Sequence, residues 1–221
     1  MDEEAEIVVL GYGGAGAVAA ITAATGGADV LIIEKQPASD HYTSTGLSGA
    51  NFVCPSDKKA FRTYTQALHA YSRDTSPLDN DLLNVWTEYA SQNNQWLLDV
   101  WTEYASQNQQ GGGKTLGKTI LSGYPGLTPL PGAESVVTYH YRGWGQGFMK
   151  DLRQLVANKG IRVMYNSRAK SFLTDHDGGI RGVRVEVRDG DEQRDVNIRA
   201  TKAVIMTCGG FQYDELLKAR Y

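Results

Sequence analysis

The sequence predicts an α/β fold, in which a parallel sheet carries a small additional antiparallel β-meander. Near the N-terminus, an apolar run, a Gly- and Ala-rich stretch and a second apolar run follow one another over residues 6–34, which is the order of a β-α-β unit. Toward the C-terminus, three near-alternating runs at 169–174, 180–188 and 196–200 are separated by turn residues, a pattern typical of antiparallel strands.

The first β-α-β unit contains a dinucleotide-binding fingerprint. Residues 11–16 read GYGGAG directly after the first apolar run, and Glu34 ends the second apolar run. Such glycines let the chain turn off a strand and bring backbone N–H groups to a pyrophosphate, while the acidic side chain holds a ribose hydroxyl. We therefore predict a Rossmann-like FAD/NAD(P)-binding domain over residues 1–221. Its first predicted contacts are Gly11, Gly13, Gly14, Ala15, Gly16, Glu34 and the adjacent Lys35.

The middle of the chain is predicted to be a loop followed by a helical region. Residues 36–52 are rich in Ser, Thr and Gly, and phosphate and flavin contacts are expected there. From residue 58 to about 110, apolar residues recur at three- and four-residue intervals, which predicts helix. Gly- and Pro-containing loop then continues to residue 135. A helix is predicted at 147–159 and a short strand at 161–165.

An eleven-residue stretch within the helical region occurs twice. Residues 85–95 recur at 100–110 with one difference. Two copies do not make a repeat protein, which needs about three stacked units. We interpret them as a local duplication that extends the helical region, with aromatic residues such as Trp86 and Tyr89 used for packing. A helical hairpin built from both copies is the alternative.

The last predicted strand ends in a second turn of small residues. The apolar run at 203–206 is followed by Thr207, Cys208, Gly209 and Gly210. Open α/β sheets bind ligands at the carboxyl ends of their strands. We therefore expect Thr207, Gly209 and Gly210 to contact the cofactor.

Composition excludes several other classes of protein. The chain has 221 residues, 41% of them hydrophobic, and a formal net charge of −3, so no nucleic-acid partner is expected. No apolar run approaches the roughly 18 residues that span a bilayer. The acidic N-terminus lacks the positive charge of a signal peptide, which predicts a cytoplasmic location. Cys54 and Cys208 lack metal-ligand spacing, so we predict no metal site and interpret both as packing residues.

Three segments resemble FAD-dependent oxidoreductases of the family that includes fumarate reductases, succinate dehydrogenase flavoprotein subunits and 3-ketosteroid 1-dehydrogenases. Residues 6–35 are similar to the family's N-terminal FAD motif. Residues 43–52, TSTGLSGANF, look like its N-T-x-x-S-G-G-N loop, with Ser44 in place of Asn and Ala50 in place of Gly. Residues 203–211, AVIMTCGGF, resemble the element that closes over the flavin.

The resemblance implies FAD contacts in the loop and beyond. The implied contacts are Ser44, Thr45, Ser48, Gly49, Ala50 and Asn51, together with a backbone contact from Ala169 to the adenine. In covalent members of the family a loop histidine is bonded to the flavin, but that position falls near Thr43 here. Because His41 is out of register, we predict non-covalent FAD.

The resemblance also implies a reaction. Hydride would pass between flavin N5 and a carbon next to a carbonyl or carboxylate, as in fumarate reductases or ketosteroid dehydrogenases, on a small-molecule substrate such as an enoate or a steroid-like ketone. In the family a substrate-capping domain follows the Gly-Gly-Phe element, whereas eleven residues follow Gly210 here. We expect the cap to be absent, name no catalytic residue, and expect self-association through an incomplete core.

Three hypotheses remain open. The first is an FAD-dependent oxidoreductase, and the second is a flavin- or nucleotide-binding module without turnover. The third is an NAD-dependent dehydrogenase, since Glu34 would suit the ribose of NAD as well as that of FAD. The Ser/Thr/Gly loop and the second turn favour FAD. His140 and Tyr141 could face a flavin, although packing roles are the simpler interpretation for both.

Overall fold

The computed structural model describes residues 2–72, 75–93, 95–97, 99, 129–141, 143–211 and 214–220. The chain divides into two compact units, the first comprising Met1–Leu47 and Gln146–Tyr221 and the second Ser48–Gly145. In chain order the elements are β1 (Glu3–Leu10), α1 (Gly14–Thr25), β2 (Val30–Ile33), a 3-10 turn (Ala38–Asp40), α2 (Ser44–Leu47), β3 (Asn51–Val53), α3 (Lys58–Tyr71), α4 (Asn80–Ala90), a 3-10 turn (Ala133–Ser135), β4 (Thr138–His140), α5 (Trp144–Asn158), β5 (Arg162–Met164), β6 (Ser167–Thr174), β7 (Ile180–Asp189), β8 (Glu192–Met206) and α6 (Glu215–Arg220).

The first unit is built on a six-stranded sheet with the strand order β5-β2-β1-β8-β7-β6. β5, β2, β1 and β8 pair in parallel, and β7 and β6 extend the sheet in antiparallel fashion. This arrangement confirms the predicted parallel sheet with an antiparallel meander. The sheet core is made of aliphatic side chains from β1, β2, β7 and β8.

One long strand, β8, joins the two parts of the sheet. The sequence predicts separate strands at 196–200 and 203–206, but β8 runs for 15 residues without interruption. Residues 192–199 pair with β7, and residues 198–206 pair with β1 across a register shift near Ala5. The prediction was wrong because the in-out alternation of burial breaks at 201–203, where β8 changes its main partner. The meander and the parallel sheet are therefore one sheet.

Helix α1 packs closely on the sheet because its inward residues are small. Gly14, Gly16, Ala17 and Ala20 are buried along it, together with Ile21. Helix α5 begins at residue 144, three residues before the predicted start. The predicted strand after it is shorter than expected and spans Arg162–Met164.

The second unit contains two capped helices. The Asp57 carboxylate accepts a hydrogen bond from the N–H of Ala60 at the start of α3, and the Asp79 carboxylate accepts two at the start of α4. These helices confirm part of the helical region predicted at 58–110. Its remainder beyond residue 99, including the second copy at 100–110, lies outside the described residues.

Two features of the second unit concern predictions made from the sequence. The ring of Trp86, in the first copy, lies 4.9 Å from that of Phe61, which is the packing role predicted for it. The antiparallel pair of β3 and β4 was not predicted, since Ser, Thr and Gly residues favoured loop there.

Across the part of the chain that is described, no helix has the length and apolar character needed to cross a membrane.

Candidate dinucleotide-binding site

The two predicted turns lie side by side at the carboxyl ends of β1 and β8. Leu10 pairs with Met206, so residues 11–16 and 207–210 leave the sheet next to each other. The N–H of Thr207 donates to the Leu10 carbonyl at 2.9 Å. The Thr207 hydroxyl lies 2.9 and 3.0 Å from the carbonyl oxygens of Leu10 and Gly11. The Thr207 side chain therefore ties the two turns together.

Three of the four glycines in the GYGGAG turn, Gly11, Gly13 and Gly16, differ in what surrounds them. Gly11 has φ +102°, and a Cβ there would lie 2.6 Å from the Thr207 carbonyl oxygen. A Cβ on Gly16 would lie 1.9 Å from the carbonyl oxygen of Gly11. A Cβ on Gly13 would meet nothing within 4 Å. Gly11 and Gly16 are thus required by the packing of the chain, whereas Gly13 leaves open space in which a ligand could approach the backbone.

The N-terminus of α1 suits an anion. Gly13 is its N-cap residue, no side chain caps it, and its first turn holds no acidic residue. The partial positive charge at a helix N-terminus attracts phosphate groups. The N–H of Gly14 donates to the Thr45 hydroxyl at 3.2 Å, and the next residue, Ala15, is exposed. These residues fit the pyrophosphate of a dinucleotide.

Glu34 lies at the end of β2 as a buried and ionised carboxylate. Its side chain is 6% exposed. One carboxylate oxygen, Oε2, accepts the N–H of Tyr12 at 2.7 Å, and Oε1 accepts that of Gln36 at 2.9 Å. Burial by itself would raise the pKa of this carboxyl, but the adjacent His41 imidazole and the two amides outweigh burial and hold the pKa below its ordinary value. The neighbouring Lys35 is exposed.

A histidine that the sequence did not assign to this region lies beside Glu34. The His41 side chain is 3% exposed, and its Nε2 is 3.6 Å from Oε2 of Glu34. Its ring stacks on that of Tyr12, with 5.3 Å between centroids, and meets the Tyr165 ring edge-on at 5.8 Å. Burial raises the pKa of both tyrosine hydroxyls, so both rings are neutral. The only sequence signal for a histidine here was its position, seven residues after Glu34, the carboxylate predicted to bind the ribose.

The Ser/Thr/Gly loop is divided between the two units. Ser44 and Thr45 belong to α2 in the first unit, where Thr45 reaches Gly14, as described, and Ser44 is exposed. Ser48, Gly49, Ala50 and Asn51 belong to the second unit.

Within the second unit, this part of the loop is held by the segment at 141–145. The carbonyl of Ser48 accepts the N–H of Gly145 at 3.0 Å, and that of Ala50 accepts the N–H of Tyr141 at 3.1 Å. Ala50 is buried at φ +46°, a left-handed conformation that explains why the family pattern has Gly at this position. Tyr141, which was considered for a flavin contact, is buried, and the side chain of His140 lies outside the described residues.

The remaining predicted residues lie on the strands and turns of the first unit. Ala169 is in β6 opposite Val185, two residues after Ser167, whose N–H donates to the Glu34 carbonyl at 2.8 Å. Gly209 has φ +79°, and both it and Gly210 are exposed.

The two cysteines differ in their surroundings. Cys54 is buried, as expected of a packing residue. Cys208 is exposed, which corrects the interpretation of it as a packing residue: it follows the end of β8, where the chain leaves the sheet. Both are free thiols.

Among the described residues, no group of three or more His, Cys, Asp or Glu side chains is placed to hold a metal ion.

A Gly-rich turn that opens a helix at the carboxyl edge of a parallel sheet, with a buried acid ending the next strand, defines a dinucleotide-binding protein. Residues 6–220 match the family model described as FAD binding domain. The chain therefore belongs to the FAD binding domain family, and FAD is its cofactor.

Relatives with assigned functions are oxidoreductases of the kind the sequence resembles. A vinyl phenol reductase of Lactiplantibacillus plantarum is 29% identical over 214 residues, which cover 93% of this chain and 38% of the relative. A 3-oxosteroid 1-dehydrogenase of Mycolicibacterium smegmatis is 26% identical over 285 residues, covering 99% of this chain and 49% of the relative. The solved open conformation of a flavocytochrome c3 fumarate reductase superposes with a TM-score of 0.73 at 21% identity, covering 99% of this chain and 36% of that structure. This chain thus spans less than half the length of these proteins.

Proposed function

We propose that this chain is the FAD-binding part of an oxidoreductase that moves hydride between FAD and a carbon next to a carbonyl or carboxylate. The observation that carries the proposal is the pairing, within one β-α-β unit, of an open glycine at the start of α1 with the buried, ionised Glu34. The flavin supplies the hydride chemistry, and the protein orients it and tunes its electrostatics. Support for the reaction class comes from relatives that are reductases and dehydrogenases.

The residues described above have separate roles in this proposal. The backbone of residues 11–16 binds the pyrophosphate at the positive end of α1, and Thr45 positions that turn through Gly14. Glu34 accepts a hydrogen bond from the ribose of the ADP half. Ala169 contacts the adenine through its backbone, Lys35 lies beside the ribose, and Ser44, Thr207, Gly209 and Gly210 provide further cofactor contacts within the first unit. The contacts of Ser48, Gly49, Ala50 and Asn51 remain predictions from the family resemblance.

Non-covalent attachment is part of the proposal. His41, the histidine of the loop, is buried against Glu34. Because Glu34 is assigned to the ribose, His41 lies at the adenosine end of the cofactor, away from the flavin. Acid precipitation should therefore leave a colourless pellet and a yellow supernatant, and a yellow pellet would contradict non-covalent binding.

A flavin-binding module without turnover of its own is the second candidate. It is supported by the described residues at the site, which bind and position but include no assigned proton donor or acceptor for a substrate. The substrate class, an enoate or a steroid-like ketone, and a cytoplasmic location remain predictions from the sequence.

An absorbance spectrum of the purified chain, followed by heat release of any ligand, tests the proposal. We expect oxidised-flavin bands and close to one equivalent of released FAD. Reduction of fumarate or of another enoate by the loaded protein, or dehydrogenation of a 3-ketosteroid, would separate the oxidoreductase from the binding module. A chain that stays colourless after incubation with FAD would overturn the proposal.

A further inference from the structure

We infer that His41 is a second ribose-binding residue, which acts together with Glu34 on the vicinal hydroxyls of the ADP half of the cofactor. This inference rests on the proposed function and extends it to a residue outside the fingerprint.

The first argument is the state of the imidazole nitrogens. Neither nitrogen of the buried His41 ring makes a hydrogen bond among the described residues; the nearest polar contact is that of Nε2 with Oε2 of Glu34, at 3.6 Å. Buried polar atoms are almost always paired, since leaving one unpaired costs about 1–3 kcal/mol. A buried ring with no hydrogen bond to either nitrogen, beside the carboxylate predicted to bind the ribose, is therefore explained by a polar partner that the ligand brings.

The second argument is that the surrounding residues hold the ring without using its nitrogens. The rings of Tyr12 and Tyr165 pack against it, and the Arg153 guanidinium donates to the backbone carbonyl of His41 at 2.9 Å. Stacking and the backbone hydrogen bond fix the position of the imidazole without using its nitrogens. Such preorganisation lowers the entropy cost of binding.

The third argument is the hydrogen-bonding capacity of Glu34. Each of its carboxylate oxygens already accepts one backbone N–H, from Tyr12 and Gln36 respectively. A carboxylate can only accept, whereas a neutral imidazole both donates and accepts. With Nε2 only 3.6 Å from Oε2, one ribose hydroxyl can donate to Glu34 while its neighbour bonds to His41.

The test compares His41→Phe with the wild-type chain and with a control. Phenylalanine keeps the stacking on Tyr12 and removes both nitrogens, and His41→Gln restores a donor and an acceptor. His176→Phe is the matched control, because the His176 side chain is 89% exposed. Dissociation constants are measured by flavin fluorescence for FAD and for FAD analogues that carry 2′-deoxyadenosine or 3′-deoxyadenosine.

We expect His41→Phe to weaken FAD binding by about 5- to 10-fold, the usual range for one hydrogen bond. His41→Gln should recover part of that loss, and His176→Phe should bind as the wild type does. For one of the two deoxy analogues, the wild type and His41→Phe should bind equally, since the hydroxyl that His41 contacts is missing. A cooperative thermal unfolding transition measured without FAD checks that His41→Phe is folded.

Other outcomes would overturn the inference. Unchanged FAD affinity in a folded His41→Phe would refute this inference and leave the proposed function standing. An equal loss of affinity for FAD and both analogues would refute it as well, because it would indicate a packing role for His41. If His41→Phe does not fold, His41→Gln is compared across the same ligands and decides by the same criterion. A wild-type chain that binds no FAD would overturn the proposed function as well, so the two failures are distinguishable.

Discussion

Gly16 and Gly13 meet different steric constraints. Substituting each of them should distinguish a glycine required by packing from one that leaves room for the ligand. In Gly16→Ala the new methyl group would sit against the Gly11 carbonyl, at 1.9 Å without relaxation, so the turn must move. We expect a loss of about 1–3 kcal/mol in unfolding free energy, measured by urea titration.

Gly13→Ala is the matched comparison, because its Cβ would meet no atom within 4 Å. We expect its unfolding free energy to stay within about 0.5 kcal/mol of the wild type, while FAD affinity falls because the methyl group occupies the space open to the pyrophosphate. Destabilisation equal to that of Gly16→Ala would show that Gly13 is also required by the fold.

Glu34 should make stability depend on pH in the acid range. The pKa of Glu34 is lower in the folded chain than in the unfolded chain. Its contribution to the unfolding free energy is therefore fully present above the ordinary Glu pKa of about 4.3, and it is lost as the pH falls through the folded pKa. In Glu34→Gln the side-chain amide cannot accept both backbone N–H groups, which should cost about 1–3 kcal/mol at neutral pH.

The pH dependence is measured by urea unfolding of wild type and Glu34→Gln between about pH 3 and 7. The difference in unfolding free energy should be constant near neutral pH and shrink below the ordinary pKa of Glu. A difference that grows in acid would show that the folded pKa is raised instead.

Ala50 is held in a conformation that costs free energy. At φ +46° an L-residue loses roughly 1–2 kcal/mol that glycine would not lose, partly offset by the greater freedom of glycine in the unfolded chain. We expect Ala50→Gly to raise the unfolding free energy by about 0.5–1 kcal/mol. The control is Ala20→Gly inside α1, which should lower it by about 1 kcal/mol or more. Destabilisation by both changes would contradict the role assigned to Ala50.

At the scale of the elements, β8 connects the meander to the parallel sheet, and Ile198 lies where the two overlap. Ile198 is fully buried, pairs with Val183 of β7 and with Glu3 of β1, and belongs to the sheet core. We expect Ile198→Ala to cost about 2–5 kcal/mol by urea unfolding, because it leaves a cavity shared by both parts of the sheet.

The neighbouring Arg199 provides the control for that substitution. Its guanidinium is exposed and pairs with Glu4 at 3.2 Å, a type of contact that contributes about 0–1 kcal/mol. Arg199→Ala should therefore change stability little. A small effect at both positions would mean that β8 is not a structural centre of the sheet.

At the scale of the whole molecule, apolar side chains are exposed at the carboxyl end of β8 and beyond it. Met206, Phe211 and Leu216 are 64%, 51% and 75% exposed. Exposed apolar groups favour association, so we expect the chain to self-associate as its concentration rises in size-exclusion chromatography. Leu216→Lys should shift the equilibrium toward monomer, whereas Ile180→Lys, at the start of β7 in the antiparallel meander, should not. A clean monomer at every micromolar concentration would contradict this prediction.

Features encoded in short stretches of chain could be read without the structure. Strand β1, the glycine turn, α1 and β2 with Glu34 follow from residues close in sequence, because the spacing of apolar and small residues directly reflects the geometry of a strand, a turn and a helix. The order of these elements also predicted the parallel sheet with its meander. The family resemblance predicted the FAD cofactor.

Other features depended on residues far apart in sequence. The single strand β8, the tether from Thr207 to Leu10, the left-handed backbone of Ala50 and the burial of His41 between Tyr12 and Tyr165 each require a partner brought close by folding. The periodicity of apolar residues predicts which side of a strand or helix a residue faces, but it does not predict which residues contact it there. The sequence alone determined the class of fold and its cofactor, whereas only the tertiary structure decided which side chains surround Glu34, because packing between distant segments sets that environment.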